Sequence, residues 1–120
     1  MDYLRELTLR RKKAHAQFRR MKSKVYQAFL NLEKATYTEG ALSVKTKELI
    51  AVGVSAATNC ESCIQWHTEY AIKAGATPQE VLEALEVAIE IGGGRAVATS
   101  RLALEVMRRL DSGDYESAEY

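Results

Sequence analysis

The amino-acid sequence predicts an all-α protein, one compact domain of about six helices. Three observations point there. A single proline interrupts the 120 residues, no stretch sustains the alternation of a strand, and apolar residues recur at helical spacing from end to end. A chain of this length holds one hydrophobic core, not two. The domain is expected over 1–112, with a polar and loose tail over 113–120.

Helical patterning covers about 3–36, with a break expected near Met21–Lys24. Within it Ala14, Phe18, Met21, Val25, Ala28 and Leu32 recur at alternating intervals of four and three, a seam able to pack on a partner subunit. Met21 and Met107 lie on apolar stripes and are expected to fill the core. Thr38-Glu39-Gly40 marks a turn, and Ser43 is placed to cap a helix running to about Thr58. Asn59 is placed to cap the next helix, from Cys60 to near Gly75. Thr77-Pro78-Gln79-Glu80 is the clearest start signal: threonine caps, proline takes the first helical position, and Glu80 completes a capping box. Val81, Leu82, Leu85, Ala88 and Ile89 then share one face. Gly92-Gly93-Gly94 bends the chain before a last helix over about 95–110. Those glycines lie between helices and lack the Lys-Ser/Thr of a phosphate loop, so no nucleotide site is read there.

Composition excludes several classes. Hydrophobic residues at 47% and charged residues at 28% belong to a globular chain, not a disordered one. The longest uncharged run, Leu49–Cys60, is too short and polar to span a bilayer. The N-terminus lacks the apolar core of a signal peptide, so a cytoplasmic location is expected. Nine basic residues and one acid give residues 5–24 a charge of +8, against −7 for the rest. Because apolar residues run through these charges at helical spacing, this segment reads as an amphipathic helix with a solvated basic face. It has no accompanying finger, homeodomain or aromatic stacking platform, so no nucleic-acid partner is expected. His15 is read as solvent-facing, and Arg95, Arg101, Arg108 and Arg109 as surface or interface charges with no catalytic role.

The chemistry centres on Cys60-Glu61-Ser62-Cys63. In a reducing compartment a lone Cys-x-x-Cys signals redox chemistry or metal binding, not a structural staple. At a helix start, unpaired amides and the positive end of the helix dipole stabilise a thiolate. Two intervening residues put the sulfurs close enough to bridge, so one can attack a peroxide or disulfide and the other resolve the adduct. His67 lies four residues past Cys63, on the same face, and can take a thiol proton. Glu48 is the candidate partner of that imidazole. If helices 44–58 and 60–75 fold back around Asn59, Glu48 and His67 lie ~16.5 Å and ~12 Å from the turn, an offset a glutamate side chain can span. A row Glu48–His67–Cys63 follows, with Cys60 nearest the turn and most accessible.

The pattern Glu-x11-Cys-x2-Cys-x3-His, here Glu48, Cys60, Cys63 and His67, resembles the core motif of alkylhydroperoxidase D (AhpD)-like proteins of the carboxymuconolactone decarboxylase superfamily. The resemblance covers about 37–107, including Lys45-Thr46-Lys47-Glu48-Leu49 and Gly75-Ala76-Thr77-Pro78-Gln79-Glu80-Val81, at the length of the short, single-repeat members. It implies an all-α AhpD-like fold and a homo-oligomer, hexamer first and trimer second. It also implies thiol-dependent reduction of a hydroperoxide or disulfide; an external dithiol is expected to restore the pair, and no cofactor is expected. In such proteins the glutamate and histidine activate the second cysteine, here Cys63, and the first, Cys60, closes the disulfide. Ser62 departs from the pattern, since a peroxidase-competent relative carries histidine there; weaker peroxide turnover or a disulfide substrate is the consequence. The decarboxylase branch typically lacks the cysteine pair. Two alternatives stand beside this reading. Cys60, Cys63 and His67 could bind zinc, although the fourth ligand of a structural site is missing, or the chain could be a non-enzymatic nucleic-acid-binding or structural oligomer. Trp66 and Tyr70, flanking His67, are expected at a subunit interface or on the wall of the site.

Overall fold

The computed structural model describes residues 2–120 and contains, among them, six helices and no strand: α1 (Tyr3–Arg20), α2 (Lys24–Thr36), α3 (Val44–Ala57), α4 (Glu61–Lys73), α5 (Pro78–Gly92) and α6 (Gly94–Ser112). The all-α expectation holds. Helices α3, α4, α5 and α6 pack around one core whose fully buried members include Val52, Ile64, Val81, Leu85 and Val106. With Ala56, Ala88 and Ala103, also in that core, they give three- and four-residue spacings in α3, α5 and α6, so each of these helices turns one apolar stripe inward. Helix α1 lies across α4 and contributes Leu4 to the core. No residue of helix α2 is fully buried.

The helix ends follow the capping chemistry. Ser43 accepts from the Thr46 amide at 3.1 Å. Thr77 and Glu80 form the full capping box, with both reciprocal bonds present. The chain breaks between α1 and α2 at Lys22, where φ is 56°, and Ser23 caps α2 through the Tyr26 amide. Gly93 bends α5 into α6 at φ 66° and ψ −144°, a conformation that side-chain-bearing residues avoid. Gly53 serves contact instead: a Cβ there would lie 3.3 Å from the Ala84 carbonyl oxygen, so its absence lets α3 and α5 approach.

Several expectations are corrected. Asn59 is not the cap of α4; Cys60 is, its sulfur accepting from the Cys63 amide at 3.3 Å. Asn59 instead makes the turn itself, at φ 58°, and its side-chain oxygen accepts from the Thr99 hydroxyl. Met21 does not fill the core: it is 72% exposed, and Phe18, Val25 and Leu32 of the same seam are exposed with it. Met107 does pack against the core. His15 is half-buried, bonded through Nδ1 to the Tyr26 hydroxyl at 2.6 Å and stacked on Tyr120. Arg109 is no free surface charge: it clamps the Asp2 carboxylate with two bonds of 2.7 and 2.8 Å. The Arg109 guanidinium holds the Asp2 carboxyl down, at about 2.

The tail is not loose. Glu69 of α4, fully buried, accepts from the Ala118 amide at 2.9 Å and from the Tyr115 and Ser117 hydroxyls, and Ala118 is itself fully buried. A polar composition predicts solvation only where no buried acceptor waits, and here a carboxylate inside the helical layer supplies one.

Candidate active site

Helices α3 and α4 pack antiparallel as a hairpin, joined by the tight turn at Asn59. Within the turn the Cys60 amide donates to the Ser55 carbonyl at 3.0 Å. Cys60 is thereby fixed at the N-cap of α4 and Cys63 in its first turn, the two sulfurs joined as a disulfide with Cα atoms 5.3 Å apart. In this oxidised form both thiolate donors that a zinc site needs are consumed by each other.

One turn further along α4, His67 Nδ1 lies 2.7 Å from Glu48 Oε1 of α3. The Glu48 side chain is only 4% exposed and that of His67 13%. An ionised carboxylate only accepts, so the imidazole proton sits on Nδ1 and Nε2 is left as the basic nitrogen. Glu48 is buried because its position on α3 faces α4, between the half-buried Lys45–Lys47 end and the apolar Ala51–Val52 stripe.

Two cavities meet at this pair. One, of about 660 Å³, is lined by Cys63 and His67 together with Tyr37, Lys47, Ile50 and Val54. Cys63, not Cys60, opens into it. The second, of about 480 Å³, lies beneath α2 and is lined by Glu48, Glu33, Tyr37, Trp66, Tyr70 and the tail residue Tyr120, among others. Trp66 and Tyr70, stacked at 4.7 Å, thus form a cavity wall. Lys47 donates to the Thr36 and Thr38 carbonyls at 3.1 and 2.8 Å, which pins the α2–α3 connection over the site.

All four residues read from the motif are brought to one place, the hairpin of α3 and α4. Three further residues were missed. Tyr37 lines both cavities, its ring 5.1 Å from that of His67. Burial pushes its phenol up. Glu33, one turn before Tyr37 on α2, shares the second cavity with Glu48, and burial pushes its carboxyl above the ordinary range. As the sole acid of α2 it is a readable signal. Arg11 of α1 reaches the residue between the cysteines: its Nη2 donates to the Ser62 hydroxyl at 2.7 Å and also to the Ser62 carbonyl. Nothing local distinguishes Arg11 from the eight other basic residues around it.

A cysteine pair at the N-terminus of one helix in an all-α bundle, with a carboxylate-bonded imidazole a turn beyond it, defines the class of helical Cys-x-x-Cys domains. Residues 23–106 match the model of the carboxymuconolactone decarboxylase family, and the chain belongs to that family as a short, AhpD-like member. It is similar to uncharacterized protein 4 in the cox locus of Paracoccus denitrificans, 43% identical over 84 residues, which is 70% of this chain and 76% of that protein. An uncharacterized protein of Cupriavidus necator is 34% identical over 85 residues, 71% of this chain and 75% of that one. Among solved structures, apo-lpg0406 of Legionella pneumophila, a carboxymuconolactone decarboxylase family protein, superposes with a TM-score of 0.83 at 34% identity, covering 91% of this chain and 97% of that one. A Thermotoga maritima family protein, for which a part in an antioxidative response has been suggested, superposes with a TM-score of 0.72 at 33% identity over 77% of this chain and 95% of that one.

Proposed function

We propose that the protein is a thiol-dependent oxidoreductase that reduces a hydroperoxide or a disulfide through Cys60 and Cys63. The observation that carries the reading is the 2.7 Å bond between His67 and Glu48, one helical turn from a cysteine that opens into the same cavity as the imidazole. The suggested antioxidative part of the Thermotoga relative points the same way. In the cycle, His67 Nε2 takes the Cys63 proton while Glu48 stabilises the imidazolium that forms. The Cys63 thiolate attacks the peroxide O–O bond; one oxygen stays on sulfur as sulfenic acid, and the other leaves as alkoxide and takes a proton from the imidazolium. The Cys60 thiol then condenses with the sulfenic acid, forming the disulfide and water. With a disulfide substrate, attack gives a mixed disulfide, which Cys60 resolves while releasing the second substrate thiol. An external dithiol returns two electrons and two protons to the pair.

The test is turnover of cumene hydroperoxide and of oxidised lipoamide by wild type, Cys60→Ser and Cys63→Ser, with a dithiol reductant. Wild type is expected to cycle and neither variant to do so. Turnover by Cys63→Ser at the wild-type rate would sink the reading.

The working form is a homo-oligomer, hexamer first and trimer second. The subunit count comes from the family resemblance, and assembly itself is supported by the exposed apolar surface: Met21 at 72%, Val25 at 81% and Leu32 at 60% on the α1–α2 seam, and Val54 at 56% and Ile91 at 74% on the face of α3 and α5. Patches of this kind mark interaction surfaces. Native mass spectrometry is expected to give a hexamer or trimer, and Val25→Glu to dissociate it. A wild-type monomer at micromolar concentration would refute the assembly.

A further inference from the structure

Two features of the sequence stand outside the mechanism: the basic N-terminal helix, and the serine between the cysteines. The fold joins them. Arg11 donates to both the hydroxyl and the carbonyl of Ser62. Its guanidinium lies 4.9 Å from the centre of the Trp66 ring, and its Nε is buried without a hydrogen-bond partner. The placement is not accidental to one flexible side chain, because two further bonds tie α1 to α4 in the turns that precede Arg11. Gln65 donates to the Thr8 hydroxyl at 2.8 Å, and the Tyr3 hydroxyl donates to Glu61 at 2.7 Å. Of the nine basic residues in 5–24, Arg11 is therefore carried inward to the Cys-x-x-Cys turn.

We propose that Arg11 is a positioning residue of the dithiol, a fixed cation that holds the Ser62 turn and favours the reduced, thiolate form of Cys60 and Cys63. The proposal rests on the redox reading above. A disulfide is neutral and a thiolate is not, so a cation beside the pair acts on the reduced form alone. Stabilising that form makes the disulfide a stronger oxidant. Guanidinium suits the task because it keeps its charge across the working pH range and presents several donors in one plane. The other charged or titratable groups around the pair do not duplicate it. Glu61, in the first turn of α4, opposes it and is held by Tyr3. His67 is bonded to Glu48, Lys47 of α3 is committed to the Thr36 and Thr38 carbonyls, and α2 presents Glu33 and Tyr37. Arg11 thus brings a positive charge from another helix to the residue between the two cysteines.

The test uses the full chain with Arg11→Gln and Arg11→Lys. Glutamine retains an N–H that can donate to Ser62 but removes the charge; lysine restores the charge. Two readouts are independent of peroxide turnover: the rate of thiol alkylation by iodoacetamide against pH, and the equilibrium of the pair with glutathione, in which two glutathione thiols reduce the disulfide. In Arg11→Gln, alkylation at neutral pH is expected to slow roughly tenfold. The glutathione equilibrium is expected to move roughly tenfold toward the disulfide, which is about 30 mV for a two-electron couple. Arg11→Lys is expected to recover most of both. Wild-type values in Arg11→Gln, or a lysine variant as impaired as the glutamine variant, would overturn the proposal while leaving the redox reading intact. A wild-type pair that glutathione neither reduces nor reoxidises at any ratio would overturn both.

Discussion

His67→Gln is expected to lower turnover of peroxide and disulfide by about 10² to 10⁴-fold, the usual worth of a positioned general base. Glutamine is the informative replacement because its amide can still donate to Glu48, which is 96% withdrawn from solvent and would otherwise become a buried, unpaired carboxylate. The fold is therefore preserved while the basic nitrogen is removed. What rate remains should rest on the thiol alone, with no side chain left to take its proton. Glu48→Gln should act more mildly, by about ten- to a hundredfold, since its carbonyl still accepts from Nδ1 and orients the ring but no longer stabilises an imidazolium. The measurement is steady-state turnover from pH 5 to 9 with circular dichroism on each variant. A folded His67→Gln protein with a wild-type rate and profile would remove the imidazole from the mechanism.

How much of this was legible in advance depends on the range of the interaction. Ser43, Thr77, Pro78 and Glu80 act within one turn of chain, and the helix starts they mark were read directly. The Glu48–His67 approach was legible too, because one short turn links two regular helices and leaves only their axial rise to compute. Asn59 misled because asparagine serves two local purposes, cap and left-handed turn, and the choice is made by Thr99, forty residues away. Arg11 and the tail failed for the same reason at longer range. A guanidinium looks the same in sequence whether it faces water or Ser62, and Ala118 gives no sign that a buried Glu69 will accept its amide. Met21 was misread in the opposite sense: its apolar stripe is real, but it is 72% exposed, and among the described residues of one chain nothing covers it.

The tail offers the second large effect, on stability. Glu69 has no exposed surface, yet it is ionised-side-chain chemistry at its most connected: Lys73 Nζ at 2.7 Å, the Ala118 amide at 2.9 Å, and the Tyr115 and Ser117 hydroxyls. Burial alone would push this carboxyl up; the bonds from Lys73, Ser117 and the Ala118 amide outweigh it and hold the carboxyl below its ordinary range. Glu69→Ala removes the acceptor and leaves a buried amide and hydroxyls without partners, a change expected to cost about 3 kcal/mol. Lys73 is 44% exposed and recovers hydration, so it adds little to that figure. Because the folded carboxyl is the more acidic, its contribution is fully present above the unfolded pKa of about 4.3 and lost as pH falls through the folded value. Glu69→Gln should therefore be destabilised at pH 7 but lose less stability than wild type between about pH 5 and 3. Urea titrations at the two ends of that range read this difference, and parallel losses in the two proteins would refute it. The tail has its own reporter: Trp66, the sole tryptophan, lies 5.2 Å from the Tyr120 ring. Its fluorescence in Glu69→Ala should shift as the tail is released, before the helical core unfolds. A single coincident transition by tryptophan fluorescence and circular dichroism would show instead that the tail and the bundle unfold together.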